Sequence, residues 1–254
     1  MAESGQSGSR KKERFSEDMI RECLTVMESG DIEDLFEIIP RIGVLRDPRF
    51  KDPLLSFLQH DDLRRREFAA YSMGAIGDRS FLDPLKKAFR KAAHLKGSGA
   101  RELQIAIIEA IGSIGDDAAV EFFLPALKTC CDEKVKSTTG KKSSTGIAGK
   151  MSHWIIESLG AIAQQGGERS LEALVELSSH HDPEVKALAI SELSVAYWHR
   201  PNEIDDTILR KIYASTMSRN PLVADSALSA LQNLADVGCR RAEAFFSSVE
   251  EKES

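Results

Sequence analysis

Few side chains in this chain have the types and spacing to do chemistry. Trp154 and Glu157 stand one helical turn apart with His153 beside them, and an indole next to a carboxylate could serve a reaction that needs an aromatic ring and an acid. His60-Asp61 and His180-His181-Asp182 come nearest to a metal-ligating pattern, yet both fall at turns that open helices, where aspartate is the expected cap. Cys130 and Cys131 are adjacent and lack the CxxC spacing of a redox or zinc motif. No Walker loop, dinucleotide fingerprint or Gly-x-Ser-x-Gly elbow occurs, and Gly97-Ser98-Gly99 reads as a turn. The expectation is no catalytic residue, no metal and no cofactor.

What must position these residues is a repeat. The phrase Met73-Gly74-Ala75-Ile76-Gly77-Asp78 returns as Ile111-Gly112-Ser113-Ile114-Gly115-Asp116, and again as Leu159-Gly160-Ala161-Ile162-Ala163. Aligned on its first glycine, the phrase sets Gly43, Gly74, Gly112, Gly160, Ser194 and Gln232 at equivalent points, between 31 and 48 residues apart. That is the length of a helix–turn–helix unit, and periods of this size mark stacked arrays. First helices carry stripes such as Ala69, Ala70, Met73 and Ile76, or Ile155, Ile156, Leu159 and Ile162, which describe one buried face each. Second helices supply Phe81, Leu82 and Leu85, or Leu171, Leu174 and Leu177. Asp182-Pro183 and Asn220-Pro221 read as helix starts, and Gly77, Gly115 and Gly166-Gly167 as helix ends. Pro40 and Pro125 predict local kinks.

Arg66-Glu67-Phe68-Ala69-Ala70-Tyr71-Ser72-Met73-Gly74-Ala75-Ile76-Gly77-Asp78, with Asp182-Pro183-Glu184-Val185-Lys186 as a second unit opening, resembles the HEAT repeat in the short form of phycobilin-lyase-like HEAT proteins. The resemblance covers almost all of residues 16–250 and implies an all-α, right-handed superhelix of about six two-helix units. It also implies that the helix carrying the Gly phrase lines a concave face. On that face would lie Glu67, Phe68, Tyr71 and Glu109, then His153, Trp154 and Glu157. Aromatic anchors in an acidic surround suit a partner protein or peptide with basic and apolar residues, held by a non-catalytic scaffold or adaptor. The alternative is an enzyme or enzyme subunit of a HEAT-like family. A chromophore-lyase subunit rests on the resemblance alone. An alkylpurine DNA glycosylase would use a tryptophan and an acid, which Trp154 and Glu157 match, but three glutamates on one face would repel phosphates. Deoxyhypusine hydroxylase, a HEAT-like metalloenzyme, holds its irons with His-Glu pairs, and no such pair is adjacent in this sequence.

Composition agrees with that outline. Aromatics make up 6% of the 254 residues, which favours helices over strands, and the net charge of −6 argues against a nucleic-acid binder. Residues 1–15 read as a disordered basic tail containing Arg10, Lys11, Lys12 and Arg14, and 251–254 as an acidic tail. Between them, 16–250 form the solenoid. The long step between Gly112 and Gly160 contains an insertion, 134–150, with Lys136, Lys141, Lys142 and Lys150 among its five lysines and no acid, a flexible basic loop at the groove's rim. Scattered cysteines, no apolar leader and no apolar run of membrane-spanning length predict a cytoplasmic protein with no membrane association.

Overall fold

Aspartate opens many of the helices. Asp31, Asp62, Asp182 and Asp205 each have extended backbone and accept a hydrogen bond from a backbone N–H in the first helical turn, satisfying donors that the helix leaves unpaired. The structure, a computed structural model, describes residues 4–138 and 148–253, with side chains described for 16–132 and 151–249. It is all-helical among those residues.

Contacts divide the chain into two units, up to Ile114 and from Gly115. The first holds α1 (Ser4–Ser29), α2 (Ile32–Glu37), α3 (Ile39–Leu45), α4 (Lys51–Phe57), α5 (Leu63–Ile76), α6 (Leu82–Ala92) and α7 (Ser98–Ile114). The second holds α8 (Val120–Thr138), α9 (Ala148–Gln164), α10 (Glu168–Leu177), α11 (Pro183–Ala196), α12 (Asp206–Thr216), α13 (Pro221–Asp236) and α14 (Arg240–Glu253). In chain order, α3 to α6 give two consecutive helix pairs and α9 to α14 three more, with α7 ending the first unit and α8 the first α-helix of the second. First helices stack on first helices: α3 on α5 and α5 on α7 in one unit, α9 on α11 and α11 on α13 in the other. Each second helix buttresses the first helix of the next pair, α4 against α5, α6 against α7, α10 against α11 and α12 against α13. No helix of the described residues is long and apolar enough to cross a membrane.

At Gly43 and Gly74 the recurrent glycine is the seam of this stacking. A Cβ on Gly43 would lie 2.9 Å from the Ala75 Cβ, and one on Gly74 would lie 2.8 Å from the Ala110 Cα. Backbone therefore meets backbone or Cβ, which only glycine permits at that approach. The two departures from glycine have reasons. Ser194 is buried and turns its hydroxyl back onto the Ser191 carbonyl, 2.7 Å away. Gln232 lies on α13, the last first helix among the described residues, and it is exposed.

Several boundaries differ from expectation. Pro40 does not kink a continuous helix but opens α3, separating it from α2 at Ile38. Proline is accommodated in a first helical turn, where its missing N–H is not needed. Pro125 does lie inside α8. Asn220 sits at the N-cap position of α13 without a side-chain capping bond. Helix α1 begins at Ser4, inside the stretch expected to be a tail, and α14 continues to Glu253. Lys, Arg and Glu are good helix formers, so a polar run need not end a helix. Helices α8 and α9 run into both ends of the 134–150 insertion. Lys136 and Lys150 fall in those helices but outside the described side chains, and Lys141 and Lys142 lie outside the described residues.

Candidate functional site

In the first unit, the expected binding residues of α5 and α7 are largely occupied with one another. Phe68 has no exposed surface; its ring centroid lies 5.5 Å from that of Phe57, edge-on, and 6.3 Å from that of Phe36. It is a core residue, which corrects the expectation of an exposed anchor. The cause is α2, a helix outside the repeat, which packs on α5 and lays Phe36 over it. Glu67 is also buried, 2% exposed, which removes it from an acidic surface. Its Oε2 accepts a hydrogen bond from Arg64 Nη1 at 2.5 Å, while Oε1 is buried without a partner. Burial pushes this carboxyl up from the usual range, and the Arg64 guanidinium opposes the shift. Arg64 itself lies over the Phe36 ring, 4.7 Å from the centroid.

Tyr71 is half-buried and meets Phe36 edge-on at 6.2 Å. Its hydroxyl donates to the Glu109 carboxylate. Burial first, and that carboxylate second, push the phenol up to about 12. The tyrosine expected to anchor a partner is thus held by an intramolecular bond, as is Glu109.

The second unit is more open. His153 Nε2 lies 3.0 Å from Glu157 Oε1, one turn along α9, with both side chains about two-fifths exposed. Trp154 is half-buried and stands perpendicular to the His153 ring at 6.0 Å. Beside His153 is a hollow of about 340 Å³ between α9, α11 and α13, lined further by Glu184, Ala187, Leu188 and Ser191 of α11 and by Leu222 and Ser226 of α13. Trp154 and Glu157 do not line it. Leu222, at 46% exposure, is a large apolar side chain left facing water. Of the residues lining the hollow, His153 alone is among those the sequence places on the binding face, and Leu222 is not. The available signal was a leucine directly after Pro221, off the apolar stripe of α13.

Glu192 was missed as well. It occupies the space that Gly160 leaves: a Cβ on that glycine would fall 2.0 Å from Glu192 Oε2. Burial pushes the Glu192 carboxyl up to about 7, with a lesser contribution from the Glu157 carboxylate across the α9–α11 contact. A carboxyl raised in the folded state binds its proton more tightly there than in the unfolded chain. Stability linked to it is therefore present at acid pH and lost as pH rises toward and through 7. Glu192→Gln removes that loss. We expect the variant to match the wild type near pH ~5 and to exceed it by on the order of 2 kcal/mol near pH ~8, read as a melting temperature roughly 5 °C higher. Equal melting at the higher pH would show that Glu192 is ionised without cost.

First helices stacked on first helices define the class: an α-helical repeat protein. Within it, residues 103–129, the greater part of α7 and the first half of α8, match the family described as PBS lyase HEAT-like repeat. No curated protein matches the chain. Among solved structures, human deoxyhypusine hydroxylase in complex with glycerol aligns over 96% of this chain and 100% of that one, at 15% identity and a TM-score of 0.36. A likeness of that degree says nothing about chemistry. Among the described residues, no group of three or more His, Cys, Asp or Glu side chains is arranged to hold a metal ion.

Proposed function

We propose that this chain is a non-catalytic scaffold or adaptor that holds a segment of a partner protein on the first-helix face of its second unit. The observation that carries this reading is the hollow between α9, α11 and α13, where Leu188 and the exposed Leu222 provide an apolar floor. Glu184 stands at its edge, and the His153–Glu157 pair lies on the adjoining turn of α9. An apolar centre with a carboxylate rim suits a segment carrying both basic and apolar side chains, since desolvated apolar contacts give affinity and rim charges give selectivity. The same acidity disfavours a nucleic-acid partner. Such a scaffold needs no cofactor, and its free cysteines suit a reducing, cytoplasmic location.

The test replaces the floor. Leu188→Asp with Leu222→Asp places two carboxylates where apolar contact is required. Neither residue is fully buried, so folding should survive, and an unchanged melting temperature checks this. A partner recovered from native lysate by the wild type should bind the double variant at least about 30-fold more weakly, the loss expected for truncating one central anchor. An identical set of proteins recovered by both would end the proposal.

A further inference from the structure

The first unit carries a second surface of opposite charge. In a chain of net charge −6, helix α6 holds Lys86, Lys87, Arg90 and Lys91 against the single acid Asp83. Lys87 and Lys91, one turn apart and both exposed, stand on the rim of a cleft of about 360 Å³ bounded by α4, α5, α6 and α7. Arg66 of α5 completes the rim, its Nε donating to the His60 carbonyl. The walls and floor are Leu55, Leu58, Gln59, Pro84, Ala88 and Leu103, and no carboxylate lines the cleft.

Arg66, Lys87 and Lys91 form no ion pair with a described residue. Attraction to the C-terminal end of the α6 dipole accounts for a lysine in the last turn. It does not account for Lys87, a turn earlier, nor for Arg66, which comes from a different helix. Three cations converging on an apolar depression are complementary to a segment with carboxylates on either side of an aliphatic stripe. The size of the cleft admits a few aliphatic side chains and lies at the low end of ligand sites.

We propose that this cleft is a second docking site, taking an acidic amphipathic helix of a partner protein. Its aliphatic side chains would enter over Leu55, Pro84 and Ala88, above the buried Leu58 and Leu103, and its carboxylates would pair with Arg66, Lys87 and Lys91. The site is independent of the groove in the second unit and asks for the opposite charge in its ligand. A phosphate backbone would find the same cations but would leave the apolar floor uncovered, which favours the peptide.

The test is fluorescence anisotropy on the full chain, using a labelled synthetic helix with leucine at every third or fourth position and glutamate between. Lys87→Glu with Lys91→Glu should weaken binding about tenfold, since each reversal removes an attraction and adds a repulsion. Raising salt should weaken the wild type in the same sense. The Leu188→Asp/Leu222→Asp variant should bind this peptide as the wild type does, which separates this site from the groove. A peptide with every glutamate replaced by glutamine should bind the wild type at least about tenfold more weakly. Equal binding of the two peptides would overturn the proposal. So would duplex DNA that binds in a charge-reversal-sensitive way while the acidic peptide does not.

Discussion

Gly74→Val is expected to destabilise the first unit by about 3 kcal/mol, lowering its melting temperature by roughly 10 °C. The Cβ would sit 2.8 Å from the Ala110 Cα and 3.1 Å from its Cβ, so relief cannot come from rotating a side chain. Helices α5 and α7 must separate, and their contact is the most extensive between helices of the described residues. Valine recovers a few tenths of a kcal/mol of helix propensity over glycine, far less than the overpacking costs. Gly77→Ala provides the contrast. That glycine ends α5 at φ 73° with nothing near its Cβ position, so the loss is confined to left-handed backbone strain of about 1 kcal/mol. Thermal melts followed by circular dichroism separate the two cases. If Gly74→Val melted with the wild type, α5 and α7 would not be in backbone contact.

Phe68→Ala should cost about 3–5 kcal/mol, the range for emptying a fully buried phenylalanine site. The ring lies against Phe36 and Phe57, contributed by α2 and α4, so its removal opens a cavity bordered by three helices. Partner binding measured well below the transition should stay within about twofold of the wild type, because the ring is not available to a partner. An exposed anchor would behave the other way, losing affinity at constant melting temperature. Denaturant unfolding paired with a binding titration distinguishes the outcomes.

These residues show where local signals are sufficient. The aspartate cap at Asp182, the left-handed glycine at Gly77, and the apolar stripes of α5 and α9 were legible because each depends on residues within a turn or two of itself, while the cap of α5 is Asp62, one residue beyond the expected Asp61. Phe68 was misplaced because the two rings that enclose it come from outside its helix, one of them from α2, which carries no copy of the repeated phrase. Glu67 was misplaced for a related reason. A glutamate at helical spacing reads as solvated, and the tertiary packing that buries it against its Arg64 partner is not written nearby.

By itself the sequence determined a repeat of helix pairs and where most of the helices start and stop. Capping, backbone conformation and hydrophobic period are short-range physics. The tertiary structure decided which aromatics face a core, that Glu192 fills the gap opposite Gly160, and that Arg66, Lys87 and Lys91 meet around one apolar cleft. Those depend on side chains from separate helices arriving at the same place, where burial and charge act through space.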